Sequence, residues 1–148
     1  FEALDDIQPG EVYICSGASP SYALLGELML TRIKMCGGTG AVINGYSRDT
    51  QGIYEVGLPV FSYGPYSQDQ SPRGKVIDFR LSIEINGVMV NPGDILVGDI
   101  DGVCVIPRNR EEEIISKSLE KASGERKVLK AIQKGMSAVE AWEKYGIM

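Results

Sequence analysis

Histidine is absent from this chain of 148 residues. Its absence removes Ser-His and Cys-His catalysis and every histidine-ligated zinc site. Acid–base chemistry must then fall to carboxylates, lysine, tyrosine or metal-bound water. Cysteine is scarce: Cys15, Cys36 and Cys104 stand singly in apolar contexts, with no CxxC pair. Such an odd, sparse count reads as reduced, buried thiols in a cytoplasmic compartment. No apolar run approaches transmembrane length, and no charged n-region leads into an apolar h-region. Neither a membrane span nor a signal peptide is therefore read. Basic charge is also short. Fifteen Lys and Arg against 20 Asp and Glu give a net charge of −5, and no basic cluster offsets it, which argues against a nucleic-acid partner.

What is present is ordinary for a globular protein. Hydrophobic residues make up 43% and charged residues 24%, enough to bury about two-thirds of the unfolded surface in one domain spanning residues 1–148. The chain opens at Phe1 on residues that read as mid-domain, so an N-terminal segment of a longer protein is expected to be missing. One phrase occurs twice. Gln8-Pro9-Gly10-Glu11-Val12 parallels Asn91-Pro92-Gly93-Asp94-Ile95. Pro then Gly suits the central positions of a type II turn, so each copy is read as a turn feeding a strand.

Periodicity and punctuation predict strands at Val12–Ser16, Gly40–Ile43, Pro59–Tyr63, Val76–Ile85, Val88–Val90, Ile95–Asp99 and Val103–Ile106. Helices are predicted at Gly26–Cys36, closed by a left-handed Gly37, and at Thr50–Val56. A long helix is expected from about Arg110 to Lys134 with Asn109 as N-cap and Glu111, Glu112 and Glu113 complementing its dipole. Ser137 and Glu140 make a capping box for a last helix through Tyr145. Residues 64–74 read as a loop. The fold class is α/β with a mixed sheet.

The most informative stretch runs from Gly37 to Asp49. Glycines lead into the buried strand Ala41-Val42-Ile43, Asn44-Gly45 turns the chain, and Arg48-Asp49 follows. The glycines do not make a nucleotide loop. They lack the GxxxxGK[ST] pattern and precede a strand instead of joining a strand to a helix, so they read as a helix cap and tight turn. Arg48 and Asp49 lie just past a strand end, where α/β folds place chemistry. A guanidinium fork grips a carboxylate, and a carboxylate can hold a hard cation such as Mg²⁺. Together they could bind a small anionic oxo acid against a metal. An adjacent Arg–Asp pair is also the ordinary form of solvated surface charge. The helix opening at Gly26-Glu27-Leu28-Met29 carries the same two readings, an anion site made by free N–H groups or a plain helix start. Asp99 and Asp101 beside Gly102 lack calcium-loop spacing and read as a turn.

Five stretches in this order resemble the RraA-like family, which includes 4-hydroxy-4-methyl-2-oxoglutarate aldolases and regulators of ribonuclease activity. They are Gly26-Glu27-Leu28, Gly37 to Asp49, Leu58-Pro59-Val60-Phe61, Gly87 to Asp94, and Asp99 to Pro107. The resemblance implies a swivelling β/β/α domain with C-terminal helices and a preceding segment absent here. It implies substrate binding by the backbone of Gly26, Glu27, Leu28 and Met29 and by Arg48. It implies catalysis by Arg48 and Glu27, and a divalent metal, Mg²⁺ or alternatively Mn²⁺, on Asp49. A glutamate from a neighbouring subunit has a role in the family, for which Glu125 is the nearest match. Asn44 departs from the Asp that many members carry before the turn glycine; only turn geometry should change.

The implied function is a metal-dependent retro-aldol cleavage of 4-hydroxy-2-oxo acids to pyruvate, through an enolate that oxaloacetate decarboxylation shares. A homotrimer, or a multiple of one, is implied as well. The alternative is a protein-binding regulator of a ribonuclease, which has no physical need for the Gly26, Glu27, Arg48 and Asp49 set. A methyltransferase label, sometimes given to such proteins for demethylmenaquinone, would be a misnomer, since no cofactor-binding strand–GxGxG–helix is present.

Overall fold

One parallel strand pair sets the carboxyl ends of two short strands beside the first turns of two helices. A computed structural model describes residues 1–17 and 21–147, in two compact units, Phe1–Val105 and Ile106–Met148.

The first unit begins with a one-turn helix, α1 (Glu2–Asp5), and the Pro9-Gly10 turn, closed by the Glu11 N–H on the Gln8 carbonyl at 3.1 Å. Strand β1 (Val12–Cys15) follows, then β2 (Ala23–Leu25), helix α2 (Glu27–Met35), β3 (Gly40–Ile43), β4 (Tyr46–Ser47), helix α3 (Thr50–Val56) and β5 (Val60–Phe61). Strands β1, β3 and β5 form a parallel sheet in that order, with Val12 opposite Gly40 and Ala41 opposite Val60. Parallel strands need crossovers, which α2 and α3 provide. Strands β2 and β4 make a second parallel pair, Ala23 opposite Tyr46 and Leu25 opposite Ser47. Strands β6 (Ile83–Ile85) and β7 (Val88–Val90) form an antiparallel hairpin, and β8 (Ile95–Asp99) pairs with β9 (Gly102–Ile106).

The core lies between α2, α3 and the parallel strands. Leu4, Ile7, Leu24, Leu25, Leu30, Ile33, Ala41, Ile43 and Ile53 make one cluster. Leu30 and Ile33 are fully buried, three residues apart on the inner face of α2. Helix α2 ends as its sequence requires, with Gly37 at φ +83°. The second phrase of the repeated pair behaves like the first: Gly93 sits at φ +91°, and the Asp94 N–H reaches the Asn91 carbonyl at 3.0 Å.

Four expectations need correction. The predicted strand Val76–Ile85 shrinks to Ile83–Ile85. Arg80 stands at φ +61°, which breaks any extended run. Its guanidinium is drawn to Asp6 at 2.6 Å and to Glu11 at 2.5 Å, and it holds the Glu11 carboxyl below the usual carboxylate range. Pro59–Tyr63 is a strand only over Val60–Phe61. Asn109 is not the N-cap of the long helix; it lies inside a 3₁₀ turn, Arg108–Arg110, and Arg110 takes the cap position. Cys104 is exposed, because strand alternation sets it opposite to half-buried Val103 and Val105. Cys15 is half-buried, and burial pushes its thiol up to about 12.

In the second unit, α4 (Glu111–Gln133) and α5 (Ala138–Tyr145) bury Val128 and Ala141. The capping box is complete. Ser137 Oγ accepts from the Glu140 N–H at 3.2 Å, and Glu140 Oε2 accepts from the Ser137 N–H at 2.8 Å. Among the described residues no helix is long and apolar enough to cross a membrane.

Candidate active site

Strands β2 and β4 run parallel and stop side by side, so residues 26–27 and 48–49 meet at their carboxyl ends. Open α/β sheets place ligands at such ends. A backbone bond from the Arg48 N–H to the Leu25 carbonyl, 2.9 Å, locks the two exits together. From there the chain starts α2 at Gly26 and α3 at Asp49.

Gly26 is the N-cap of α2 in extended conformation. A side chain there would displace the Asp49 carboxylate. A Cβ on Gly26 would fall 2.5 Å from Asp49 Oδ2 and 3.4 Å from two carbons of the Arg48 side chain. Asp49 caps α3 without using its side chain and takes a left-handed conformation, φ 59° and ψ 44°. That conformation is uncommon outside glycine and costs energy, a pattern that concentrates at functional sites. It swings the carboxylate away from its own helix toward the start of α2, where Oδ2 accepts the Glu27 N–H at 3.3 Å. The N–H groups of Leu28 and Met29, also in the first turn, have no acceptor among the described residues. Free N–H groups at a helix N-terminus favour an anion.

The Arg48 guanidinium lies between two carboxylates. Nη1 donates to Asp49 Oδ1 and Oδ2 at 3.2 and 3.0 Å, and Nη2 pairs with Asp69 Oδ2 at 3.2 Å. Side-chain exposures are 39% for Arg48, 36% for Asp49 and 45% for Asp69, so the cluster opens to solvent and a ligand can reach it. The Glu27 side chain lies across Gly52 in the first turn of α3, so close that a Cβ on Gly52 would collide with its carboxyl group.

Gly26, Glu27, Leu28, Met29, Arg48 and Asp49 thus come together in one place. Glu125 belongs to α4 in the second unit, where it pairs with Lys121 at 3.6 Å. Two residues escaped the sequence reading. Asp69 sits in the loop 64–74, where nothing in the local pattern marks it. Gly52 reads in sequence only as a weak helix residue. The loop is stitched to the site strands: the Ala23 N–H bonds to the Gln68 carbonyl at 2.9 Å, and the Tyr66 N–H to the Ser47 carbonyl at 2.8 Å.

The donor chemistry suits a hydrated hard cation. Among the described residues no three or more acidic or thiol side chains gather into a metal cage. A carboxylate has about four acceptor positions; those of Asp49 receive two contacts from Arg48 and one from Glu27, leaving capacity toward solvent. A cation that keeps most of its waters needs no more than one or two carboxylates, as Mg²⁺ does. Glu27, Asp49 and Asp69 against Arg48 also leave the cluster negative, which favours a cation.

Residues 1–105 match the model of the RraA-like family, described as Aldolase/RraA. A protein of Halalkalibacterium halodurans named "Putative 4-hydroxy-4-methyl-2-oxoglutarate aldolase" is 29% identical over 143 residues, covering 96% of this chain and 68% of the relative. A crystal structure of an uncharacterized protein from Pseudomonas syringae superposes with TM-score 0.93 at 26% identity, over 97% of this chain and 68% of the other. Streptomyces coelicolor RraAS2, titled an unusual member of the RNase ES inhibitor RraA protein family, gives TM-score 0.76 at 27% identity, over 84% of this chain and 64% of its own. The chain therefore spans about two-thirds of the length of these relatives.

Proposed function

The chain belongs to the RraA-like family, and from that premise we propose that it is a divalent-metal-dependent lyase. It cleaves 4-hydroxy-2-oxo acids of the 4-hydroxy-4-methyl-2-oxoglutarate type to pyruvate by retro-aldol reaction, and the same site decarboxylates oxaloacetate. The observation that carries this reading is the meeting of a free helix N-terminus, the Arg48 fork and the Asp49 carboxylate where β2 and β4 end.

Asp49 would hold the metal, Mg²⁺ or Mn²⁺, which when bound supplies electrophilic stabilisation for negative charge on the oxo acid. The chain supplies the rest. The Leu28 and Met29 N–H groups donate to the substrate carboxylate at the head of α2. Arg48 lays two parallel donors against the planar oxo acid. Glu27, seated over Gly52, holds the water that takes the proton from the distal hydroxyl. The carbon–carbon bond then breaks. Its electron pair passes to the pyruvate unit as an enolate, and the other fragment leaves as a carbonyl compound. The guanidinium of Arg48, already in place, stabilises the enolate without reorganising. A proton returned to carbon completes pyruvate. No lysine Schiff base is required.

The test is pyruvate release by the full-length protein, with and without Mg²⁺, against a panel of 4-hydroxy-2-oxo acids and oxaloacetate. Metal-dependent release from at least one of them is expected. No release from any would reject the lyase and favour a protein-binding role of the kind that the Streptomyces relative's title describes.

Gly52→Ala separates stability from chemistry. Alanine is the better helix former by up to about 1 kcal/mol, and only the flexible Glu27 side chain must move to admit the methyl group. Thermal stability should hold or rise while turnover falls. Unchanged turnover would show that the seat of Glu27 does not matter.

We also propose a trimer, or a multiple of one. The motive is the family resemblance together with the polar loop over residues 63–75, too long to pack alone. Light scattering of the full-length protein should give a mass divisible by three protomers; a monomer would contradict it.

A further inference from the structure

We infer that Asp69 is a positioning residue that keeps the Arg48 guanidinium aimed at the oxo acid while Asp49 is engaged by the metal. The inference rests on the lyase reading above and adds to it a residue from outside the motifs of the sequence.

Arg48 has two carboxylate partners on two different arms. Asp49 takes Nη1 through both its oxygens, and Asp69 takes Nη2 at 3.2 Å. Only one of these partners is free to stay. When Asp49 turns lone pairs toward a divalent cation, its hold on Nη1 weakens. The cation and the guanidinium also repel each other, since both are positive. With Asp49 alone, Arg48 would lose its anchor at the moment its charge is needed. Asp69 lies on the other arm, and its attraction opposes that displacement.

Asp69 is itself fixed by contacts that do not involve Arg48. Its Oδ1 accepts the Ser71 N–H at 2.9 Å, and its carbonyl accepts Arg73 Nη1 at 3.1 Å. Its backbone lies alongside Ala23 as an extra parallel bridge on β2, with the Gln70 N–H on the Ala23 carbonyl at 3.3 Å. The strand that carries Gly26 therefore also carries the anchor of Arg48. Oxygen and backbone being held this way, the free Oδ2 is presented to Nη2 at no further ordering cost. The arrangement gives the loop 64–74 a function in the site: it delivers one carboxylate.

The experiment compares wild type, Asp69→Asn and Asp69→Glu as full-length proteins. Asparagine keeps the shape and the Ser71 contact but removes the charge. Asp69→Asn should lower kcat for the oxo acid by about ten- to a hundredfold, the scale of a small misplacement of a catalytic group. KM should change much less, because the helix N-terminus still binds the substrate carboxylate. Asp69→Glu, which restores the charge, should recover part of the loss. An independent readout needs no turnover. In ¹⁵N-arginine-labelled protein saturated with Mg²⁺, the Arg48 Nη1 and Nη2 resonances, assigned by their loss in Arg48→Lys, should be separate in wild type and merge in Asp69→Asn as the group rotates freely. Wild-type kcat in Asp69→Asn, or unchanged separate Nη signals, overturns the inference. If wild type releases no pyruvate but the Nη signals still merge, the lyase reading fails and the hold of Asp69 on Arg48 stands.

Discussion

Asp49→Ala is expected to abolish metal-dependent pyruvate release and metal binding while leaving the fold intact. Asp49 turns its carboxylate to the first turn of α2, where Oδ2 accepts the Glu27 N–H at 3.3 Å. A hydrated ion held through so few protein oxygens has none left once that carboxylate is gone. The change does not touch the core, since Asp49 is partly exposed and its packing neighbour is Gly26. It does meet a backbone cost. Alanine at φ 59° is disfavoured by about 1 kcal/mol, so a modest fall in Tm should accompany the loss. Asp49→Asn removes that ambiguity, because asparagine tolerates the left-handed region. It should match wild type in Tm and still fail to bind Mn²⁺ in a calorimetric titration. Wild-type turnover of either variant at low Mg²⁺ would remove Asp49 as the ligand.

Arg48→Lys is expected to lower turnover on the order of 10²-fold or more, the scale for losing one preorganised electrostatic contact in an active site. The substitution keeps the charge and loses the fork. Arg48 makes three contacts from two arms, two to Asp49 and one to Asp69. One ammonium on a flexible stem cannot bridge both carboxylates and also present a flat pair of donors to an enolate. If Arg48 also touches the ground state, pyruvate itself should bind more weakly. Steady-state kinetics and pyruvate binding check both points. Unchanged kcat and KM would take Arg48 out of the mechanism and make a protein-binding regulator the better account of this chain.

Several parts of the molecule were legible in the sequence because their causes are local. Gly37 ends α2 because an α-helix needs a left-handed exit and glycine supplies it cheaply. Pro9-Gly10 and Pro92-Gly93 turn the chain through bonds closed over three residues. Ser137 and Glu140 cap α5 through the same span. Helix α3 and strands β3, β7 and β8 have the predicted bounds. Composition alone excluded histidine chemistry, and the motif order placed Gly26, Glu27, Arg48 and Asp49 on a helix start and a strand exit. What those residues do to one another was not legible, because Glu27 and Asp49 are 22 positions apart. Only the parallel register of β2 and β4, strands too short to leave a pattern, brings them within a hydrogen bond. The same limit explains the errors. Arg80 breaks the predicted strand through Asp6 and Glu11, each about 70 residues earlier. Asp69 enters the site only because its loop pairs with Ala23. The sequence by itself determined the helices, the turns and the kinds of chemical group available, since these follow from forces acting within a few residues. The tertiary structure decided which charges face each other, since pairing across a fold depends on strand register and loop path, and neither is written in any short stretch of chain.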